Sequence, residues 1–307
     1  MMKNQDKYAV AVRKPDQEIV VEVAEYNGLN INKKIKNMPV LRGVFNFIES
    51  LVLGMKTLTF SASFFEDEED EAKKQSEEIV TAEKAELSEE ARKKKKQQED
   101  VMMGGTVALS IILAVGIFMI LPYFISLFFK QFVTSQIAIA LLEGVIRLLI
   151  FIGYVAAISL MPDIKRVYMY HGAEHKCINC IEHGLDLTVE NVRKSSKEHK
   201  RCGTSFLLIV MLISIVFFMF IRVDNGVLKL VLRILLIPVI AGVSYEFIRL
   251  AGRSDNIIVN ILSKPGMWLQ RLTTKEPDDT MIEVGIASVE AVFDWRSYVE
   301  EIREGKA

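Results

Sequence analysis

The stretch VMMGGTVALSIILAVGIFMILPYFISLFF, residues 101–129, contains no charged side chain and decides the fold class. A helix needs about 20 largely apolar residues to cross the hydrocarbon core of a bilayer, and this run exceeds that length. In lipid every backbone N–H and C=O must find a partner within protein, so the run predicts a transmembrane helix. Pro122 lies inside it, which is tolerated where neighbouring groups take up the freed carbonyl.

Working outward, three more spans are expected. Ile137–Met161 is interrupted by Glu143 and Arg147, Gly203–Ile221 is uncharged, and Leu230–Ile248 carries Pro238, Arg233 and Glu246. Glu143 and Arg147 stand at i, i+4, the spacing of a self-neutralising pair facing a helix bundle; a polar track for a substrate is the alternative. Arg233, near the start of the fourth span, is expected to snorkel to the interface.

Half of the residues are hydrophobic and a quarter are charged, as in a membrane protein with polar ends. The net charge of -1 gives no global electrostatic reason to bind DNA. The opening Met1–Asp6 has no apolar core of a signal peptide. The connection Pro162–Cys202 holds Lys165, Arg166, Lys176, Arg193, Lys194, Lys197, Lys200 and Arg201, whereas the other two connections offer Lys130, Arg222 and Lys229. The positive-inside rule then places the long connection and both termini in the cytoplasm.

Residues 1–36 are expected to hold a β-hairpin: Tyr8–Arg13 and Ile19–Ala24 alternate apolar and polar residues across the turn-forming Lys14-Pro15-Asp16-Gln17-Glu18. Residues 37–65 form an amphipathic interfacial or re-entrant helix, with Leu41, Val44, Ile48, Leu51 and Met55 on one face. Residues 66–100 are a charged low-complexity arm, acidic at Glu66–Glu71 and basic at Arg92–Lys96. The arm reads as a solvated helix, or as a contact to lipid phosphates or ribosomal RNA. Residues 101–161 hold spans one and two, 162–203 a cytoplasmic His/Cys loop, and 204–250 spans three and four. In 251–307, Ser254–Leu272 is amphipathic with Trp268 as an interfacial anchor, and Met281–Tyr298 is a closing helix. The expected architecture is an all-α polytopic membrane protein with four transmembrane helices, one interfacial helix and a small N-terminal hairpin.

All four histidines and all three cysteines lie between His171 and Cys202. Imidazole and thiolate are the donors that zinc and its neighbours prefer. His171-x-x-Glu174-His175 places two imidazoles and a carboxylate on one helical face, the inverted zincin pattern in which the glutamate serves as base. Glu246, near the cytoplasmic end of the fourth span, is a possible third ligand in that pattern. Cys177-x-x-Cys180 followed by His199-x-x-Cys202 has instead the spacing of a structural zinc ribbon. A third combination takes His171, His175, His199 and Cys202. One ion cannot satisfy all three.

At these residues the chain resembles the YqhQ family of bacterial membrane proteins, described as predicted metal-dependent enzymes. The matching stretches are Leu41–Phe45, Glu49–Lys56, Tyr170–Lys176, Leu187–Val192, Arg201–Phe206, Ser244–Glu246 and Leu272–Asp279. The resemblance covers most of the chain and leaves out the charged arm. It implies a core site of His171, His175, His199 and Cys202. Glu174 is then a catalytic base or further ligand, and Glu246, Cys177 and Cys180 are additional candidates; the family pattern does not require cysteine at 177 and 180.

Two functions follow as expectations. The first is a membrane-embedded hydrolase dependent on zinc or another divalent transition metal, with a peptidase as one form and a membrane protein as substrate. The second is a non-enzymatic factor in membrane-protein biogenesis, beside a translocon or ribosome, with a structural metal.

Overall fold

A computed structural model describes residues 1–26, 28–29, 31–77, 89–223, 225–254 and 256–305; of these, 33, 65–77, 89–100 and 103 are described by backbone alone. The chain is mostly helical, with a small three-stranded sheet at its N-terminus. In order, the elements are β1 (Met2–Asn4), β2 (Lys7–Arg13), β3 (Ile19–Glu25), α1 (Lys33–Lys36), α2 (Leu41–Glu77), α3 (Glu89–Val115), α4 (Leu121–Phe128), α5 (Gln136–Ile158), α6 (Pro162–Glu182), α7 (Val189–Lys194), α8 (Gly203–Met219), α9 (Gly226–Ala251), α10 (Ile257–Thr273), α11 (Asp279–Glu290) and α12 (Trp295–Arg303). They divide into two units, one of Met1–Ser61 with Phe151–Ala307 and one of Ala62–Ile150.

Among the described residues, three segments are long and apolar enough to cross a membrane: Gly104–Gln131, Gln136–Ile158 and Gly226–Ala251. Their exposed apolar surface suits contact with a lipid bilayer. The expected span over Gly203–Ile221 is α8, apolar but only 17 residues long. At 1.5 Å per residue it reaches about 26 Å, short of a hydrocarbon core of about 30 Å. The charged arm is helical at 66–77 and 89–100; residues 78–88 lie outside the described residues.

In the first unit, the predicted hairpin is β2 paired antiparallel with β3, in register Val10↔Glu22. Lys14 N–H donates to the Glu18 carbonyl at 2.9 Å across the predicted turn. The hairpin gains a third strand, since β1 pairs with β2 from Met2↔Ala9. β1 has three residues, too few to show a period of two. Tyr8, Ala9, Val10 and Val12 of β2 are buried, and α11 packs on both β2 and α6. A core of Cys177, Cys180, Ile181, Val192, Ile282 and Val289 joins α6, α7 and α11.

The start of α2 is fastened to α9. A Cβ on Gly43 would sit 2.6 Å from Tyr245 Cβ, and one on Gly242 would sit 2.4 Å from the Val40 carbonyl oxygen. Glycine at both positions permits that approach. Asn46 Nδ2 donates to Tyr245 Oη at 2.7 Å, and Arg42 grips Glu246 with two nitrogens, Nε at 2.5 Å. Arg233 of α9 does not snorkel. It is 2% exposed, with its guanidinium 5.2 Å from the centroid of the Phe218 ring, a cation–π contact inside the apolar helices.

In the second unit the long apolar segment changes to a π-helical turn at Gly116–Ile120, followed by Pro122. Proline has no N–H to offer the carbonyl four residues before it, that of Phe118. Arg147 of α5 reaches that carbonyl with Nε at 2.9 Å and bonds Glu143 with Nη2 at 3.0 Å. Glu143 is 1% and Arg147 4% exposed. The i, i+4 pair is thus joined to a π-helical turn in a neighbouring helix.

Replacing Arg147 alone with methionine leaves a buried carboxylate without this partner and is expected to cost about 3–5 kcal/mol. Glu143→Leu combined with Arg147→Met is expected to recover most of that loss. Thermal unfolding in detergent, followed by circular dichroism, measures both. Equal losses in the single and double variants would show that the carbonyl contact outweighs the charge pairing.

Candidate metal centre

Pro162 at the first turn and the extended Met161 before it start α6, which then runs for 21 residues. His171, Glu174 and His175 fall mid-helix on one face, and the imidazole centroids lie 4.4 Å apart. Each ring is oriented by a backbone carbonyl. His171 Nδ1 is 3.0 Å from the Thr273 oxygen, at the end of α10, and His175 Nδ1 is 2.7 Å from the Lys197 oxygen. A carbonyl only accepts, so each Nδ1 carries a proton and each Nε2 is the nitrogen left for a ligand.

Gly172 makes the first of these contacts possible. A Cβ there would come within 2.1 Å of the Lys275 carbonyl oxygen, so only glycine lets the chain after α10 lie this close to α6. Lys275 N–H also donates to the Tyr168 carbonyl at 2.9 Å.

The segment from Arg193 to Glu198 is held from the other side. Lys176 Nζ donates to the carbonyls of Arg193 and Ser195 at 2.8 and 2.9 Å and pairs with Glu276 at 2.6 Å. Asn179 Nδ2 donates to the carbonyls of Ser196 and Glu198 at 2.7 and 3.0 Å.

Cys202 caps the N-terminus of α8, its Sγ accepting from Thr204 N–H at 3.4 Å. That sulfur also lies 3.4 Å from His171 Nε2 and 3.1 Å from Thr204 Oγ1. Thr273 Oγ1 bonds Thr204 Oγ1 at 3.1 Å and closes the network. Burial pushes the Cys202 thiol up, but hydrogen bonds and charge from His171 and His175 outweigh it and hold the thiol at about 5. Burial would lower His171, but its bond to Cys202 raises it above the usual histidine range.

His171, His175 and Cys202 each offer one ligand atom, and the three atoms lie within 4.8 Å of one another. A tetrahedral zinc with bonds of about 2.3 Å to sulfur and 2.0–2.1 Å to nitrogen separates those donors by about 3.5 Å. The 3.4 Å between Cys202 Sγ and His171 Nε2 fits that spacing. The donor chemistry and the oriented Nδ1–H groups also fit such an ion.

The remaining expected site residues are placed elsewhere. His199 sits 5.8 Å from His175, centroid to centroid, but its Nε2 meets Glu182 Oε2 at 3.1 Å and its Nδ1 accepts from Arg201 N–H at 3.3 Å. Burial pushes the Glu182 carboxyl up, yet the His199 hydrogen bond and the Arg201 charge bring it below its ordinary value. Glu246 is bonded to Arg42 and the Val40 N–H. Cys177 and Cys180 are fully buried in the apolar core, where burial pushes both thiols upward. Glu174 is half-buried beside His171, and its charge adds to the rise at that imidazole.

Sequence reasoning missed Gly172, Lys176, Asn179, Thr204, Gln270 and Thr273. Gln270 is fully buried and holds His199 from both sides, accepting its N–H and donating to its carbonyl, each at 2.8 Å. A glycine in the middle of a helix was the one available signal, since it costs about 1 kcal/mol against alanine and marks a close approach.

Fold and site together define a membrane-associated helical protein with a two-histidine, one-cysteine cluster of which His175 and Cys202 are buried and His171 half-buried. A model of the family described as "Protein of unknown function (DUF1385)" matches residues 38–295, and the chain belongs to that family. It is 34% identical over 285 residues to "Uncharacterized protein YqhQ" of Bacillus subtilis (strain 168), an alignment that covers 92% of this chain and 85% of that protein. No solved structure matches.

In metal-free protein the Cys202 thiolate is expected to persist down to pH about 5 and to disappear below it, against about 8.5 for an unperturbed cysteine. A folded-state value below the unfolded one stabilises the fold above the unfolded value, and the benefit is lost as pH falls through the folded one. Thiolate ultraviolet absorbance checks this: the low-pH signal should vanish in Cys202→Ser and survive in Cys177→Ser.

Proposed function

We propose that this chain is a membrane-embedded, metal-dependent hydrolase whose His171, His175 and Cys202 hold zinc or a similar divalent ion at the cytoplasmic lipid boundary. The observation that carries the reading is the paired bonding of His171 Nδ1 to Thr273 O and His175 Nδ1 to Lys197 O, which leaves both Nε2 atoms with Cys202 Sγ. Three protein donors are the mark of a catalytic zinc site, whereas structural sites are closed by four. When bound, such an ion supplies a Lewis acid with one position left for a substrate oxygen.

The chain's own residues do the rest. Glu174, one helical turn from His171, is the general base that takes a proton from attacking water. The carbonyls of Thr273 and Lys197 hold the imidazoles in one tautomer. Cleavage of a peptide in a membrane-protein substrate is the form of hydrolysis we favour.

The topology we propose is multi-pass in a bacterial inner membrane, with both termini cytoplasmic and α8 serving as a short fourth span. α2 lies in the interface, since Ile48, Leu51, Val52, Met55 and Leu58 form one exposed apolar face.

A second reading is a structural ion in a membrane-protein biogenesis factor that works beside a translocon or ribosome. The bonds that tie the 193–198 segment to α6 favour it, because an ion on His175 would lock that segment further.

Metal analysis of the purified protein tests both readings. Zinc should be lost in His171→Ala and Cys202→Ser and kept in Cys177→Ser paired with Cys180→Ser. Glu174→Gln should keep zinc and lose about 100-fold or more in turnover of a peptide library. Full zinc in His171→Ala rejects the site, and full turnover in Glu174→Gln rejects the base.

A further inference from the structure

α10 carries two unlike faces. Ser263, Gly266, Leu269, Gln270 and Thr273 are buried, and Gly266 lies against Ser205 of α8. On the other side Ile257 is 73% exposed, Ile258 63%, Ile261 55%, and Leu262 and Trp268 52% each. Bulky apolar groups clustered this way on a 17-residue helix need a partner. At 17 residues, with Lys264 in its middle, the helix falls short of a span.

The helix begins at Ile257, soon after the apolar α9 ends at Ala251, and packs against α9 as well as α8, so it is joined directly to a candidate span. Between positions 249 and 275 the sequence has Arg249, Arg253, Lys264, Arg271 and Lys275 against one acid, Asp255.

We propose that α10 lies along the headgroup plane of the bilayer and binds anionic phospholipid. The isoleucines and Leu262 enter the upper acyl region, Trp268 sits at the headgroup boundary, and Arg253 and Lys264 meet lipid phosphate. A bilayer is the occupant that fits, because the helix follows directly on a candidate span and packs against it, its bulky apolar side chains are exposed, and basic residues accompany them.

The same helix positions the His/Cys group. Gln270 Nε2 donates to Ser205 Oγ at 2.7 Å and holds His199, and the Thr273 carbonyl binds His171 Nδ1. Trp268 and Thr273 are five residues apart, about 8 Å along the axis. The cluster is thereby set close to headgroup depth. This inference concerns the lipid and holds whether or not an ion occupies the cluster.

The full-length protein is reconstituted into nanodiscs of phosphatidylcholine alone or mixed with phosphatidylglycerol. Tryptophan emission is then read with lipids brominated high on the acyl chain and with aqueous iodide. Trp295 is buried in the core between α6, α7 and α11, and the Trp268→Phe variant supplies its signal for subtraction. The expected result is a blue-shifted Trp268, quenched by bromolipid and shielded from iodide. Phosphatidylglycerol should be enriched around the protein, and Arg253→Gln with Lys264→Gln should lower that enrichment about tenfold while metal content stays unchanged. Quenching by iodide and not by bromolipid overturns the proposal. Bromolipid quenching with no preference for phosphatidylglycerol overturns its anionic part. Loss of metal in the double variant with lipid preference intact would also count against it.

Discussion

The hydrogen bonds that α6 donates to backbone carbonyls of residues 193–198 organise the His/Cys site. His175, Lys176 and Asn179 bond the carbonyls of Arg193, Ser195, Ser196, Lys197 and Glu198. A buried carbonyl without a partner costs about 1–3 kcal/mol, so each of these bonds matters to stability as well as to shape. Lys176, only 4% exposed, is tolerated there because two carbonyls and Glu276 surround its ammonium. The same constraint selects the tautomer of His175. Packing of a connecting segment and chemical readiness of a ligand are therefore one event.

Much of the fold was legible because it rests on runs and turns. Residues 101–129 and 137–161 could hardly be anything but apolar helices, and the Lys14–Glu18 turn sits where its chemistry puts it. What was missed depends on partners distant in sequence. Spacing alone pairs Glu143 with Arg147, but the third member, the Phe118 carbonyl beside Pro122, appears only once two helices are adjacent. Arg233 was assigned to the interface because an isolated arginine in lipid is costly. Its contact with the Phe218 ring, from a separate helix, is not visible in the spacing of charges along the chain.

The candidate site was legible in part for a geometric reason. His171 and His175 share a face under any helical reading, and Cys202 joins them. Cys177 and Cys180 follow His175 by two and five residues, which rotates them by about 200° and 140° about the helix axis. On a continuous helix neither can turn back to the ion that His175 faces, and both enter the core instead. The cysteine pair spells a zinc knuckle only if the chain turns between its members, and α6 does not. His199 escaped the same logic because it stands on no regular element; Gln270 and Glu182 set its direction, and both are far from it along the chain.

Cys177 and Cys202 show how far surroundings outweigh residue type. Both are almost completely buried, so desolvation alone would make both inert thiols. Cys177 faces Ala173 and Gly285, and burial, with the charges of Cys180 and Glu174 added, pushes its thiol up. Cys202 opens α8, accepts the Thr204 N–H and faces two imidazoles, and its thiol is brought down to about 5. A sulfur that ionises so readily inside protein needs a permanent positive neighbour. In this fold that neighbour is the proton Cys202 shares with His171, and the cation of the proposed site would take that proton's place. The two differ by one exchange at Nε2, which the carbonyl bonds at Nδ1 leave undisturbed.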